Sequence, residues 1–375
     1  MKNIVFLNTC PVWGGGEKWT FTTAKILNED PEFNVYIATG SDTELFKRAE
    51  KAGIKTKEVK VKSGITVLNL FKVFRFKNFL KEKDIDILFL NMSQDLKFGG
   101  ITGKLASLDR IIYRRGSAIP IKDRFYNKYL LTQCVTDVIA NSKATKETIL
   151  RNTSHWLNED KIELIYNGID LDKVDKALEN PVDISQEFGI ADNKKIIGNI
   201  GRLSYQKGHE FLIEAVELLK QERNDFVVLI IGDGERKKEL KNLVKEKELD
   251  DYIIFTGFRD DVYNLLPGLD FLVHTARWEG FGFVIAEAMA AGIPVVSTDV
   301  SNISEIVVDG KSGYLAKAED VEDIKEKIFN LMQSDYNLKN KMGNNGRNII
   351  ENKFSIDLMI NKLKLFLKGK FYVCD

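Results

Sequence analysis

The stretch HTARWEGFGFVIAEAMAAG, His274 to Gly292, decides how this chain is read, because it sets Glu279 in a loop and Glu287 eight residues later on an Ala-rich helix. Between the two carboxylates, Gly280, Phe281, Gly282 and Phe283 bring backbone N–H groups to the start of that helix. A helix start offers unpaired donors and partial positive charge, which makes a seat for phosphate and hydroxyl oxygens. Gly292 and Pro294 end the helix, and Val295 to Thr298 (VVST) has the pattern of a buried strand. The site is therefore expected at the edge of an α/β sheet.

Outward from this stretch, strand-like runs recur at intervals suited to alternating strands and helices. In the first half they are Asn3 to Leu7, Val35 to Thr39, Thr56 to Val61, Ile87 to Leu90, Arg110 to Tyr113, Val138 to Asn141 and Ile162 to Tyr166. In the second half they are Ile196 to Ile200, Phe226 to Ile231, Tyr252 to Thr256, Phe271 to His274 and Pro294 to Ser297. This alternation predicts an α/β protein with two open parallel sheets and helices on both faces. The polar, turn-rich segment NGIDLDKVDKALENPVDIS between the halves is expected to link them. Ligands of such sheets sit at the carboxyl ends of the strands. Gly14, Gly15 and Gly16 follow the first strand, Arg202 follows Ile200, Gly232 follows Ile231 and Glu279 follows His274.

At 375 residues the chain exceeds what one core usually holds, so two domains are expected. Its 44% apolar and 29% charged residues suit a soluble globular protein. Cys10, Cys134 and Cys374 have no paired spacing, which argues against a disulfide framework or a zinc site and fits a cytoplasmic location. MKNIVFLNTC is expected to be the first strand, and no window approaches a membrane-spanning length. Net charge is zero overall, but residues 1–174 hold 28 Lys and Arg against 21 Asp and Glu, and residues 175–375 hold 27 against 34. A basic half suits either an anionic partner or an ordinary lysine-rich surface.

Further short elements extend the pattern: Gly201-Arg202-Leu203 with Lys207-Gly208, Gly232-Asp233-Gly234, Gly292-Ile293-Pro294-Val295-Val296, Asp309-Gly310 with Gly313-Tyr314-Leu315, and Gly14-Gly15-Gly16-Glu17. Together with Glu279, Gly-Phe-Gly and Glu287, they resemble in order and spacing the retaining glycosyltransferases of family 4 (group 1, GT-B fold). The resemblance implies two Rossmann-like doubly wound domains facing across a cleft. Residues 1–175 would bind the acceptor and 176–354 the nucleotide sugar, with a C-terminal helix, 355–375, packing back on the first domain.

It also implies a retaining, metal-independent transfer from a nucleotide-diphosphate sugar, a co-substrate with no further cofactor, to a glycan or glycolipid acceptor in cell-envelope polysaccharide or lipopolysaccharide assembly. Glu279, Arg202 and Lys207 would be the catalytic residues. Arg202 and Lys207 would hold the diphosphate, and Glu287 the ribose hydroxyls. Glu279 and the N–H groups after it would hold sugar hydroxyls, Phe258 and Arg259 the base, and Gly14, Gly15, Gly16 and Gly232 would complete the donor site. A same-fold nucleotide-sugar epimerase or hydrolase, or a non-catalytic nucleotide-sugar-binding protein, are the alternatives. A nicotinamide oxidoreductase is disfavoured, because Trp19 stands where the third glycine of a dinucleotide fingerprint belongs.

Many family members carry histidines where this chain has Asn91 and Arg115, so a His-assisted step is not expected. The leaving phosphate would itself draw the acceptor proton. His155, His209 and His274 suit ordinary partly buried histidines. Asp84-Ile85-Asp86 superficially matches a metal-holding Asp-x-Asp, but it precedes a strand rather than following one, so no metal site is expected. In FKVFRFKNFLKEK, Phe71 to Lys83, the side Phe76 and Phe79 with Lys72 and Lys83 suits dipping into an anionic membrane surface, and equally a helix buried on two sides with its lysines snorkelling. On the membrane reading the acceptor is lipid-linked, the protein works at the inner face of the membrane, and Asn91, Arg114 and Arg115 meet the acceptor or its phosphate.

Overall fold

Apolar runs with little alternation belong to strands covered on both faces, and here they assemble into two all-parallel sheets. The computed structural model describes residues 1–369, and the chain divides into two compact units, Met1–Tyr166 and Asn167 onward.

In the first unit the strands are β1 (Lys2–Leu7), β2 (Phe33–Thr39), β3 (Lys55–Glu58), β4 (Ile87–Leu90), β5 (Arg110–Arg115), β6 (Asp137–Ala140) and β7 (Ile162–Leu164), in the order β3-β2-β1-β4-β5-β6-β7. The second unit contains β8 (Lys195–Ile200), β9 (Phe226–Ile231), β10 (Ile253–Gly257), β11 (Phe271–His274), β12 (Val295–Thr298) and β13 (Gly313–Ala316), in the order β10-β9-β8-β11-β12-β13. Helices connect successive strands, so each unit is doubly wound, as the alternation predicts. Every run expected to be a strand is one; β13 is the additional member, held by β12 through the pairs Val295 with Gly313 and Val296 with Tyr314.

Each order reverses once, between β1 and β4 and between β8 and β11. Carboxyl strand ends diverge at a reversal and leave a crevice there, so these two points position ligands.

The helix Leu70–Glu82 corrects one expectation. Phe76 and Phe79 are core residues, 2% and 6% exposed, with Phe76 stacked on Phe98 at 5.6 Å and Phe79 edge-on to Tyr36 at 5.7 Å. They cannot enter a membrane. The outward side is instead Phe71 and Phe74, 75% and 53% exposed.

In the linker, Asp170 caps the helix Leu171–Leu178, and Asp175 pairs with Arg347 at 2.6 Å within the second unit. The C-terminal helix runs Ile356–Leu367 with Ser355 as its cap, and Ser355 bridges to Ile169. The end of the expected 355–375 helix, including Cys374, lies outside the described residues. Among those described, no helix is long and apolar enough to cross a membrane.

Candidate active site

At the reversal of the second sheet, β8 runs into Gly201-Arg202-Leu203 and β9 into Gly232-Asp233-Gly234, and the two turns press together. The Leu203 N–H donates to the Asp233 carbonyl at 3.0 Å. Gly232 has φ +147, and a Cβ there would lie 1.9 Å from the Gly201 carbonyl oxygen, so only glycine fits. Next in the chain, Tyr205–Lys207 forms a single tight turn closed by Gly208 at φ +59, where a Cβ would lie 2.3 Å from the Thr275 carbonyl oxygen. This close approach aims Lys207 at the end of β11.

There the Lys207 Nζ donates to Glu279 Oε2 at 2.5 Å and lies 3.3 Å from His274 Nε2, while His274 Nε2 is 3.2 Å from the same carboxylate oxygen. The second oxygen of Glu279 accepts from the Gly280 N–H at 3.0 Å, and the Glu279 N–H donates to Ser301 Oγ at 3.2 Å. Burial opposes charge on Glu279, but the Lys207 ammonium and the His274 ring outweigh it and hold the carboxyl below the usual carboxylate range. His274 is pushed down by burial and by Lys207. Burial and the same ammonium take His209 down to about 3, so it stays neutral. The turn carrying Lys207 is itself clamped. Arg277 stacks on Tyr205 at 3.9 Å, donates to the Tyr205 carbonyl at 2.9 Å and pairs with Glu210 at 2.8 Å.

Beyond the loop, Gly282 is the N-cap of the helix Phe283–Ala290, which starts without a side-chain cap. The Phe281 ring is buried against Phe354 at 5.8 Å, so it leaves the loop's outer side to the backbone. One turn into the helix, the buried Glu287 accepts from the Tyr263 hydroxyl at 2.9 Å. Arg202, by contrast, is exposed, and no ion pair holds its side chain among the described residues. At the end of β10, Phe258 is exposed and Arg259 is tied to Asp261 at 2.6 Å and to Glu187. The parallel sheet thus lines up, along one edge, an aromatic corner, two glycine turns with Arg202, the Lys207–Glu279–His274 cluster and the Glu287 helix. The sequence patterns point to all of these but His274, expected to be an ordinary partly buried histidine and found instead in the Lys207–Glu279 cluster, and do not include Tyr263. His274 ends a strand at a reversal point, a signal its position carries; nothing in the spacing singles out Tyr263.

In the first unit, Gly14 caps the helix Gly15–Asn28 without a side-chain bond, and Gly14 and Gly15 are exposed. Asn91 ends β4 and reaches back to the Leu7 carbonyl at 3.5 Å. Arg114 and Arg115 are consecutive on β5 and leave it on opposite faces. Arg114 is 3% exposed with its guanidinium 4.0 Å from the Trp19 ring centre, and burial brings its pKa down to about 9 against the pull of Glu17. Arg115 donates to the Tyr113 hydroxyl at 3.0 Å and to the Ile119 carbonyl at 2.7 Å. Asp95, which the patterns did not flag, is buried at the β1/β4 reversal. It accepts from Thr9 Oγ1 at 2.5 Å and from the Met92 N–H at 3.0 Å, and burial pushes it up to about 7 despite those bonds. Asp86 accepts from the Asn3 N–H at 2.7 Å ahead of β4, a turn role as its position implies.

Comparison with known proteins supplies the family and the fold. Residues 182–349 match the family model for glycosyl transferases group 1, and residues 13–173 match that for glycosyltransferase family 4. Two uncharacterized glycosyltransferases of Methanocaldococcus jannaschii are similar. One is 31% identical over 78% of this chain and 77% of its own length, the other 32% identical over 61% of this chain and 59% of its own length. The UDP-Gal:alpha-D-GlcNAc-diphosphoundecaprenol alpha-1,3-galactosyltransferase of Escherichia coli is 26% identical over 81% of this chain and 79% of its own. Among solved structures, Anabaena HepE in complex with UDP and glucose superimposes with a TM-score of 0.84 at 22% identity, covering 98% of this chain and all of that one, which establishes a shared fold.

Proposed function

The chain belongs to the glycosyl transferases of group 1, and on that premise we propose that it moves a sugar from a nucleotide-diphosphate sugar to a glycan or lipid-linked acceptor, with retained configuration and without a metal ion. The observation that carries this reading is the Lys207–Glu279–His274 cluster at the β8/β11 reversal, one loop away from a helix start and beside the exposed Arg202.

A diphosphate leaving group needs positive charge most when its bond to the anomeric carbon breaks. Arg202, Lys207 and the N-terminal end of the helix Phe283–Ala290 supply such charge without a divalent ion. Glu279 stays ionised beside Lys207, so it accepts hydrogen bonds from sugar hydroxyls and fixes the donor sugar. Glu287, oriented by Tyr263, accepts from the ribose hydroxyls, and the backbone after β10 takes the base. The acceptor oxygen then bonds to the anomeric carbon on the face the diphosphate leaves, and its proton passes to the departing phosphate oxygen. No protein base is required at Asn91 or Arg115. We assign the acceptor to the first unit, with Asn91 and Arg115 among its contacts. The Escherichia coli relative's diphosphoundecaprenol substrate favours a lipid-linked acceptor in envelope polysaccharide or lipopolysaccharide assembly, at the cytoplasmic side of the membrane.

A thermal-shift panel of nucleotide sugars tests the donor assignment, since a ligand that binds the folded state raises its stability. One nucleotide sugar is expected to shift the second unit's transition, and turnover with it should give a product of the donor's anomeric configuration by NMR, unchanged in EDTA. Inverted product, or activity lost in EDTA and restored by magnesium, refutes the mechanism. Sugar release at full rate with no acceptor makes the protein a hydrolase.

A further inference from the structure

Five large apolar side chains, Ile65, Leu68, Leu70, Phe71 and Phe74, stand exposed within ten residues of the first unit. They occupy the short turn Gly64–Leu68 and the opening turns of the helix Leu70–Glu82. The opposite side of that helix, Val73, Phe76, Phe79 and Leu80, already fills the core. The outer cluster therefore contributes nothing to folding and sets apolar surface against water, which soluble proteins seldom concentrate in this way.

Its surroundings indicate what covers it. Residues 59–83 contain seven Lys or Arg and one acidic residue, Glu82. Lys60, Lys62, Arg75, Lys81 and Lys83 are exposed along the same segment. Among the described residues Lys60 is the one of these held in ion pairs, with Glu58 at 3.5 Å and Asp42 at 3.8 Å, and Arg75 also lies close enough to act on Glu58. A hollow of about 210 Å³ opens beside the helix, lined by four cations, Lys57, Lys60, Lys72 and Arg75, and one carboxylate, Glu58, over the Phe76 and Phe98 rings. Next to the turn, the Lys97 side chain packs against Gly64 and reaches over the Tyr126 ring at 4.8 Å, which brings the exposed Phe125 into the same neighbourhood. Apolar tips ringed by cations match the boundary of an anionic bilayer, where acyl chains receive the tips and headgroup phosphates receive the cations.

We propose that the turn Gly64–Leu68 and the first two turns of the helix Leu70–Glu82 insert into an anionic lipid surface, with Phe71 and Phe74 below the headgroups and the hollow holding a lipid phosphate. The proposal gives the lipid-linked acceptor reading a docking face, but it stands on this surface alone, and the two fail separately. Vesicle binding is measured without donor, and donor binding without vesicles.

The experiment is flotation of the full chain with vesicles of phosphatidylcholine alone and of equal parts phosphatidylcholine and phosphatidylglycerol. The wild type is expected to float with the anionic vesicles at low salt and to be released progressively as salt rises. Phe71→Ser with Phe74→Ser should cut binding by roughly tenfold or more, as expected for removing two ring insertions. Its circular dichroism and nucleotide-sugar thermal shift should stay unchanged, since both rings lie outside the core. Lys62→Gln with Arg75→Gln should weaken binding to anionic vesicles only. Lys241→Gln with Lys245→Gln, in the second unit, should change nothing. Equal binding by the Phe double variant overturns the proposal, as does failure to bind anionic vesicles at low salt. So does a Phe-dependent self-association without vesicle binding, which would make the face a protein interface.

Discussion

Replacing Lys207 by Met keeps the length of the side chain and removes its charge, which strands the Glu279 carboxylate where only about an eighth of its side chain is exposed. At 2.5 Å the pair's attraction is about 7 kcal/mol at an effective dielectric near 20, and desolvation of two largely buried groups takes back part of it. A net loss of about 2–4 kcal/mol is expected, read as a shift of the second unit's urea transition. Donor affinity should fall as well, by the roughly 1.5–3 kcal/mol of a charge-assisted bond to phosphate, or about 10- to 150-fold by calorimetry with the nucleotide sugar. Adding Glu279→Gln removes the stranded charge, so the double variant should regain most of the stability and none of the affinity.

The acid limb gives a further signature. Because the folded Glu279 titrates below the usual range, its contribution is complete above about pH 4.5 and is lost as pH falls toward the folded value. The stability gap between wild type and Lys207→Met should therefore narrow in acid. A Lys207→Met protein as stable as wild type at neutral pH, or a double variant no better than the single, would refute this account.

Arg202→Ala offers the contrast: with no ion pair to lose, its stability should stay within about 0.5 kcal/mol of wild type while donor affinity drops roughly tenfold or more, measured by the same two assays. Tyr263→Phe frees Glu287 from its orienting bond. It should lower donor affinity about fivefold and narrow the preference for ribose over 2′-deoxyribose donors, whereas an unchanged preference would remove Glu287 from the ribose. His209, kept neutral down to about pH 3 by burial, has an unfolded value near 6.5, so its contribution is present above that pH and is lost as pH falls toward 3, at up to about 1.4 kcal/mol per pH unit. His209→Gln should flatten the pH dependence of the urea midpoint between pH 6.5 and 4, and parallel curves would contradict the assignment.

How much of this was legible in the chain follows from what spacing encodes. Strands covered on both faces write themselves as apolar runs, so most of β1 through β12 could be placed from residue types; β3, Lys-Thr-Lys-Glu with no buried member, shows only alternation and is set by its pairing with β2. β13 is only Gly-Tyr-Leu-Ala with two half-exposed members, and it becomes a strand because β12 offers a paired edge. In the site, Lys207, Glu279 and Glu287 fall into fixed spacings on either side of β11. In sequence His274 reads as an ordinary partly buried histidine since its partner Lys207 is 67 residues away, and Tyr263 carries no signal since only the folded sheet sets it beside Glu287. Asp95 likewise gains its meaning from Thr9, which is 86 residues earlier in the chain.

The helix Leu70–Glu82 marks where periodicity runs out. With Leu70, Phe71, Val73, Phe74, Phe76, Phe79 and Leu80 spread around it, two sides are apolar, and composition alone cannot say which one the core takes. The choice is made by partners elsewhere: Phe98 and Tyr36 present rings to Phe76 and Phe79, and burial on that side is sufficient to fix the helix. Phe71 and Phe74 are then left outside by geometry, on the segment that contains seven of the first half's cations. The excess positive charge of residues 1–174 thus has a location next to apolar surface. A merely solvated basic face needs no phenylalanines, and an apolar protein interface needs no ring of lysines. The combination is what an anionic, partly apolar surface selects, and the Phe71→Ser, Phe74→Ser variant separates that explanation from both of the others.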